Sequence, residues 1–247
     1  VRKPANRRRV RQVVERAALV TLRDHASALE LKQMGITRPA VVTADPVFHL
    51  EPACQARSLE LLAASGLPQG QPFVAVSVRD WHDAEAFYPQ LAALCDHLRG
   101  RHGLEVLFLL MQPDRDRAAT AQVRALMEQP AWVLDVPTAP RELMGVLGQA
   151  RLCLAMRLHT LIFAARMAVP AMGLVYDPKV ASYLEELDLP AAGDVEHFDR
   201  AEAIRRADAL LADYDNGLAR LREKSAQLTQ AAGENERLLL ELLEGTK

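Results

Sequence analysis

Cysteine is scarce in this sequence, and long apolar runs are missing. Its three cysteines, Cys54, Cys95 and Cys153, lie far apart and form no CxxC pattern. Such spacing argues against a disulfide framework and against a structural zinc site. No apolar run reaches the ~18 residues that a membrane span needs, and the arginine-rich start lacks the apolar stretch of a signal peptide. We therefore expect a cytoplasmic protein.

A large excess of charge of either sign is also missing. The formal net charge is -2, which argues against the global basic field that binds nucleic acid. Basic side chains are concentrated only near the start, at Arg2, Lys3, Arg7, Arg8, Arg9, Arg11 and Arg16. A basic amphipathic helix with a solvated face explains this segment, and peripheral contact with an anionic membrane surface is the alternative.

The common nucleotide and hydrolase motifs are absent as well. The sequence has no GxGxxG segment, no P-loop and no nucleophile elbow, so dinucleotide, P-loop and hydrolase interpretations lose their usual support. Five histidines lie apart without metal-ligand spacing, namely His25, His49, His97, His102 and His197. We assign these histidines to the surface or the core and expect no metal site.

What is present is a regular alternation of strands and helices in two segments. The first contains the apolar strands 19–22 and 40–43, with a helix between them that Gly35 stops. Residues 10–18 are expected to form the end of a preceding helix. Nothing upstream could cover the faces of the two strands. We therefore interpret residues 1–65 as the end of an N-terminal Rossmann-like domain whose earlier part is missing.

A second domain is expected to begin after a linker. Residues 66–72 carry two glycines and two prolines, which is typical of a linker. The following elements are strands 73–78, 104–110, 131–135, 151–155 and 171–175, and helices 84–99, 117–128, 140–149, 160–168 and 179–187. Five such repeats predict a doubly wound parallel sheet, in a domain that extends over residues 73–198.

The tail, residues 199–247, is expected to be helical. Asp199 and Glu202 have the spacing of a capping box. A leucine stripe recurs at heptad-like spacing, at Leu218, Leu221, Leu228, Leu239 and Leu242. Docking on the sheet domain is the use that we favour for this stripe, with formation of a homodimer second.

Ligands of open parallel sheets bind outside the carboxyl ends of the strands. Four loops at this edge are polar, namely 79–82, 111–116, 157–159 and 176–179. In the loop that enters a helix near Thr160, backbone N–H groups favour an anion and Arg157 offers a fork of donors for carboxylate or phosphate. His159 is able to pass a proton. Local capping or pairing is the alternative for both side chains.

The last of these loops leads into another helix. Asp as N-cap followed by Pro in the first turn is a common helix start, and this accounts for Asp177 and Pro178. Lys179 is harder to explain, because a lysine in the first turn opposes the helix dipole unless an anion compensates. Its position therefore points to a phosphate ligand.

Four further side chains near strand ends are ambiguous. Arg23, followed by Asp24, ends a strand of the first segment and could face the second domain across a cleft. A surface ion pair is the ordinary interpretation. The same two alternatives, ligand contact or local pairing, hold for Arg79, Gln112 and Asp116.

Taken in order, these motifs resemble those of the CsaB-like polysaccharide pyruvyl transferases. The matching segments are Leu22-Arg23-Asp24 with Ser27, then 43–48, 77–80, 111–113, 156–165 and 176–180. The segments around Arg157 and Lys179 are the most specific. The resemblance covers the chain from about residue 15 to about residue 190.

The resemblance implies a GT-B-like fold, in which two Rossmann-like domains face a cleft and the first is incomplete here. It implies phosphoenolpyruvate as the donor. The acceptor is a hexose unit of a cell-wall or capsular polymer, often lipid-linked at the cytoplasmic face of the inner membrane. No metal or organic cofactor is implied. The family's glycine-rich N-terminal segment has no counterpart in this sequence.

The resemblance also assigns roles to individual residues. Arg157 and Arg23 bind the carboxylate and phosphate of the donor, and Lys179 adds charge at the phosphate. His159 acts as acid or base, which makes His159 and Arg157 the catalytic pair. Further substrate contacts are expected from Arg79, Gln112, Leu158 and Tyr176.

Two other functions compete with this interpretation. A GT-B glycosyltransferase shares the fold but binds a nucleotide sugar instead of phosphoenolpyruvate, and fold alone does not separate the two. A non-catalytic truncated chain or scaffold subunit would keep the donor-side domain without turnover. The missing N-terminal segment favours the scaffold, and the joint presence of Arg157, His159 and Lys179 argues against it.

Overall fold

The computed structural model describes residues 3–82 and 86–245. Its first elements are α1 (Pro4–Val14), β1 (Thr21–Leu22), α2 (His25–Gln33), β2 (Val41–Val42) and a 3-10 helix (Pro46–His49). These are followed by α3 (Gln55–Ala64), β3 (Phe73–Ser77), α4 (Tyr88–His102), β4 (Glu105–Leu109), α5 (Pro113–Leu126), β5 (Trp132–Leu134) and α6 (Pro140–Leu147). The last are β6 (Leu152–Ala155), α7 (Leu158–Arg166), β7 (Ala171–Val175), α8 (Pro178–Leu187), β8 (Ala191–Asp194), α9 (Arg200–Ala212) and α10 (Tyr214–Glu244).

The chain divides into two compact units. The first contains the residues up to Leu50 and those from Ser225 onward, and the second is Glu51–Lys224. In the first unit β1 and β2 pair in parallel, with Thr21 opposite Val41. Asp24 caps α2 by accepting a hydrogen bond from the backbone N–H of Ser27. Gly35, which was predicted to stop that helix, follows it with a positive φ of 71°.

The first helix and the tail differ from expectation. Residues 10–18 were expected to form the end of a helix, and that helix, α1, begins at Pro4 and already ends at Val14. We favoured docking of the whole leucine stripe on the sheet domain. Leu218 and Leu221 belong to the second unit, which contains the large sheet, whereas Leu228, Leu239 and Leu242 belong to the first unit. Polar contacts hold this later part of the tail: Asn235 donates to the carbonyl oxygen of Ala44 at 3.1 Å, and His49 Nε2 lies 3.0 Å from the carbonyl oxygen of Thr229.

The second unit is built on a six-stranded, fully parallel sheet. Its strand order is β5-β4-β3-β6-β7-β8, the order of a Rossmann-type doubly wound fold. The parallel fold class and the five predicted strands are therefore confirmed. The predicted start of the helix after β3, at residue 84, lies outside the described residues.

A sixth strand, β8, was not predicted. Its sequence, Ala191-Ala192-Gly193-Asp194, lacks the β-branched and aromatic residues that usually mark a strand. Two helices also begin earlier than expected, α5 at Pro113 and α7 at Leu158. Proline at the first helical position fits the earlier start of α5.

Residues 51–65 belong to the second unit, and the division of the chain falls between Leu50 and Glu51. The expected linker at 66–72 therefore lies inside that unit. The reason is the packing of α3 on α6. The backbone N–H of Ala53 donates to the carbonyl oxygen of Arg141 at 2.8 Å, and a Cβ added to Gly145 would lie 2.5 Å from Ser58 Oγ.

The core of the second unit is dry and contains two of the three thiols. Val74 and Val76 of β3 pack in one buried cluster with Leu91 and Cys95 of α4. Cys95 and Cys153 are both buried, and burial raises the pKa of each thiol well above its ordinary value. The third thiol, that of Cys54, is exposed. Among the described residues, no helix combines the length and apolarity required to cross a bilayer.

Candidate functional site

The strand order of the second unit creates one switch point. Strands β3 and β6 are neighbours, but the chain leaves β3 toward β4 and leaves β6 toward β7. The two following loops diverge, and a crevice opens at the carboxyl ends of these strands. Arg79 follows β3 and Arg157 follows β6. The topology therefore brings both predicted arginines to the switch point.

Arg157 is held in place by a buried carboxylate. Its Nε lies 3.1 Å from Asp116 Oδ1, and its Nη2 contacts the same oxygen. Asp116 has no exposed surface, and its second oxygen accepts the backbone N–H of Gln112 at 2.8 Å. Sequence reasoning left Asp116 ambiguous. The structure shows that it orients the guanidinium of Arg157 at the N-terminus of α7.

Arg79 belongs to a group of cations and aromatic rings. Its Nη1 donates to the hydroxyl of Tyr176 at 3.2 Å, and its guanidinium lies 5.0 Å from the centre of the Tyr176 ring. Trp81 packs against Tyr176 edge-on with 4.8 Å between ring centres, and Lys179 Nζ lies 5.8 Å from the same Tyr176 ring. Cation–π contacts of this kind fix the direction of the charges. Sequence reasoning did not single out Trp81.

The N-terminus of α8 has the predicted cap. Asp177 accepts the backbone N–H of Lys179 at 3.0 Å, and the Lys179 ammonium lies 3.9 Å from the other carboxylate oxygen. The Lys179 side chain is 52% exposed. Asp177 therefore offsets part of the unfavourable position of a lysine in the first turn, and the ammonium remains accessible to a ligand.

The remaining predicted residues of this unit have different environments. His159 is exposed in the first turn of α7, and Gln112 is exposed at the N-cap of α5. Within the described part of the chain, neither side chain has a hydrogen-bond partner. Leu158 is buried, which makes it a packing residue of α7.

Arg23 lies in the first unit and is already paired. Its Nε lies 3.1 Å from Asp24 Oδ2 and its Nη1 lies 3.3 Å from Asp45 Oδ2. This is the local ion pair that we named as the ordinary interpretation. Two carboxylates around one guanidinium leave a negative balance at this position.

Two buried hydroxyl groups lie at the same edge of the large sheet, and neither was assigned as a site residue from the sequence. Ser77 ends β3 opposite Ala155 of β6, and Thr160 lies in the first turn of α7. Both side chains are buried, and neither hydroxyl has a partner among the residues that the structure describes. Both residues lie in segments that match the family motifs, but the sequence alone did not reveal that their hydroxyl groups are buried.

Directed cationic groups are concentrated at this edge. Three cations, Arg79, Arg157 and Lys179, lie among three carboxylates, those of Asp80, Asp116 and Asp177. The N-termini of α7 and α8 add partial positive charge. The arrangement suits an anion that carries a carboxylate or a phosphate.

Comparison with known proteins identifies the family and the fold. A model of the family described as polysaccharide pyruvyl transferase matches residues 1–178. No curated protein matches the chain by sequence.

Among solved structures, a glycosyltransferase from Rickettsia africae matches 98% of this chain and 68% of its own length, with a TM-score of 0.60 and 12% identity. UDP-GlcNAc 2-epimerase from Neisseria meningitidis, bound to UDP-GlcNAc, matches 97% of this chain and 65% of its own length, with a TM-score of 0.64 and 13% identity. The Anabaena protein HepE, in complex with UDP-glucose, matches 98% of this chain and 68% of its own length, with a TM-score of 0.63 and 14% identity. The likeness shows a GT-B-like fold, and the chain spans about two thirds of the length of these structures.

Proposed function

Because the chain belongs to the polysaccharide pyruvyl transferase family, we propose that it transfers a pyruvyl group from phosphoenolpyruvate to a sugar as a ketal. The observation that carries the proposal is the set of three cations at the ends of three adjacent strands, β3, β6 and β7. Phosphoenolpyruvate carries both a carboxylate and a phosphate on a small skeleton. Cations fixed around one crevice match such a dianionic ligand.

The pairing of Arg157 suggests which cations contact the carboxylate of the donor and which contact its phosphate. Asp116 occupies the Nε and Nη2 groups of Arg157, which leaves Nη1 as a directed donor for one carboxylate oxygen. Arg79 and Lys179 flank Tyr176 and carry the charge for the phosphate. Arg23 is neutralised by two carboxylates, so we assign donor binding to the second unit.

The chemistry follows from an acid and a stabilised leaving group. Protonation of the donor's methylene carbon forms the methyl group and makes the central carbon electrophilic. One sugar hydroxyl adds to that carbon, a second hydroxyl displaces phosphate, and each loses its proton. His159, exposed in the first turn of α7, is the acid or base that we assign to these proton transfers. Cations at the phosphate stabilise its departure.

The acceptor in this proposal is a hexose unit of a cell-wall or capsular polymer, lipid-linked at the inner membrane face. The exposed basic side chains of α1, such as Arg8 and Arg9, are suited to peripheral contact with anionic lipid headgroups. A nucleotide-sugar transferase is the second candidate, because two structures with a similar fold hold UDP-sugars.

Calorimetric titration with phosphoenolpyruvate, beside UDP, tests the donor. We expect binding of phosphoenolpyruvate and its loss in the double variant Arg157→Gln/Asp116→Asn, which leaves no buried charge unpaired. The control is Arg117→Gln, whose guanidinium pairs with Asp135 on the surface and should leave binding unchanged. Binding of UDP alone would favour the second candidate. With donor binding intact, His159→Ala should abolish phosphate release in the presence of acceptor glycan, and near-normal release would refute its role.

A further inference from the structure

Two histidines and an aspartate of the second unit converge away from the switch point. His97 Nε2 lies 2.8 Å and His102 Nε2 lies 2.7 Å from the same oxygen, Asp208 Oδ1. The histidines lie on α4 and the aspartate on α9. Of the residues that the structure describes, this is the group of three whose potential ligand atoms all lie within 4.8 Å of one another. Histidine spacing alone had indicated no metal site, because Asp208 is 106 positions beyond His102.

We propose that His97, His102 and Asp208 form a binding site for one divalent transition-metal ion of the zinc class. Two imidazole nitrogens and one carboxylate oxygen are ligands that zinc accepts, with water in a fourth position. Calcium and magnesium require more oxygen ligands than this group supplies. The donor set therefore selects zinc, cobalt or nickel over the abundant alkaline-earth ions.

The geometry needs only a small adjustment to hold the ion. Bonds of about 2.0–2.1 Å to a tetrahedral zinc place its ligand atoms about 3.3 Å apart. Each histidine Nε2 must therefore move roughly half an ångström away from Asp208 Oδ1. Both histidine side chains are 24% exposed and that of Asp208 is 40% exposed, so the side chains can move outward. Each ring gives the Nε2 lone pair to the ion, and its remaining proton lies on Nδ1.

The surrounding charges favour a cation. The carboxylate of Asp208 supplies a negative charge at the point where the two imidazole rings converge. His102 is also the last residue of α4, where the negative end of the helix dipole attracts cations.

Most basic side chains on the two helices already have partners. Arg99 is paired with Glu105, and Arg205 and Arg206 are both paired with Glu202. Arg101, adjacent to His102 in the sequence, is exposed and is a cation that opposes metal binding. A bound ion would connect the end of α4 to the middle of α9 and stabilise the second unit.

Titration of the chelator-treated protein with ZnCl2 by calorimetry, and with Co2+ by visible absorbance, tests this site. We expect one ion per chain with micromolar affinity and a tetrahedral cobalt spectrum. His102→Gln and Asp208→Asn should each weaken binding by about tenfold or more, and circular dichroism establishes that the variants are folded. The matched control is His197→Ala, which removes an exposed histidine outside the cluster.

Two outcomes would overturn the proposal. One is a wild-type chain that takes up no ion over this range. The other is unchanged affinity in folded His102→Gln and Asp208→Asn. Neither outcome bears on donor binding, because the cluster contains none of the residues assigned to phosphoenolpyruvate.

Discussion

Each of the two parallel sheets carries an arginine just beyond a strand end, and the two arginines are held in different ways. Arg157, after β6, faces one carboxylate, Asp116, which is fully buried. Arg23, after β1, faces both Asp24 and Asp45, and 34% of its side chain is exposed. One is a dry and neutral pair. The other is a partly hydrated cluster with a surplus negative charge.

The difference shows that burial and charge balance decide what an arginine at a strand end can do. A dry pair is costly to break and fixes the direction of the remaining donor. Near Arg157, the donors of Arg79 and Lys179 and the N-termini of α7 and α8 are directed to the same edge, so an anion is attracted. Near Arg23, two carboxylates face one guanidinium, so the electrostatic energy of bringing an anion to this position is unfavourable.

Breaking the dry pair should have the largest effect. In Arg157→Ala, Asp116 keeps a buried carboxylate without its cation, which typically destabilises by about 3–5 kcal/mol. Urea unfolding, combined with amide hydrogen exchange in α5 and α7, measures the loss. The neutral double variant Arg157→Gln/Asp116→Asn should lose less, because no charge is left alone. Equal losses in the two variants would show that charge burial is not the cause.

The partly hydrated cluster should respond less, and its response should depend on pH. Arg23→Ala is expected to cost about 1 kcal/mol, as for ion pairs in contact with water. Partial burial raises the pKa of Asp24, but hydrogen bonds from Ser27 and Arg23 outweigh it and lower the pKa. Because the pKa of Asp24 is lowered in the folded state, its ionised form stabilises the fold at pH values above the unfolded-state pKa of about 4. This stabilisation is lost as the pH falls through the folded-state pKa.

Amide hydrogen exchange in α2 is the measurement for this cluster. Protection in the wild-type chain should decrease below about pH 4. The decrease should be smaller in Arg23→Ala, because Asp24 then loses one of its stabilising partners. A pH profile identical in both chains would contradict the assigned role of Arg23.

The smallest effect on stability is expected at Lys179. Its side chain is half exposed, and the contacts described for it are with Asp177 and the Tyr176 ring, so Lys179→Ala should change stability by less than about 0.5 kcal/mol. Affinity for phosphoenolpyruvate should nevertheless fall by about tenfold, which corresponds to about 1.4 kcal/mol of binding free energy. Thermal unfolding and calorimetry separate the two quantities. Unchanged affinity would restrict phosphate binding to Arg79.

The parts of the fold that could be predicted are those that local sequence specifies. Strands such as β4 and β6 are apolar runs because helices cover both faces of the sheet. The cap at Asp177 was predicted for the same reason, since its partner is only two residues away. Strand β8 could not be predicted, because Ala191–Asp194 is a strand through its pairing with the neighbouring β7, which the local sequence does not encode.

The site shows the same limit at the level of single side chains. Its loops were predictable, because the carboxyl ends of parallel strands must meet at one edge. The partner of Arg157 was not, since Asp116 is 41 positions away and any of several acidic residues could have served. Aromatic support by Trp81 depends on the packing of loops from β3 and β7, which no local pattern encodes.

The three thiols differ in burial, so a thiol-reactive dye should label this chain at one position first. A maleimide dye reacts with exposed thiolate, so it should attach at Cys54 without any engineered cysteine. Cys95 and Cys153 lie in the core of the second unit and should react only when that unit opens. The rate at which the second and third labels attach would therefore measure how often the second unit opens and exposes these thiols.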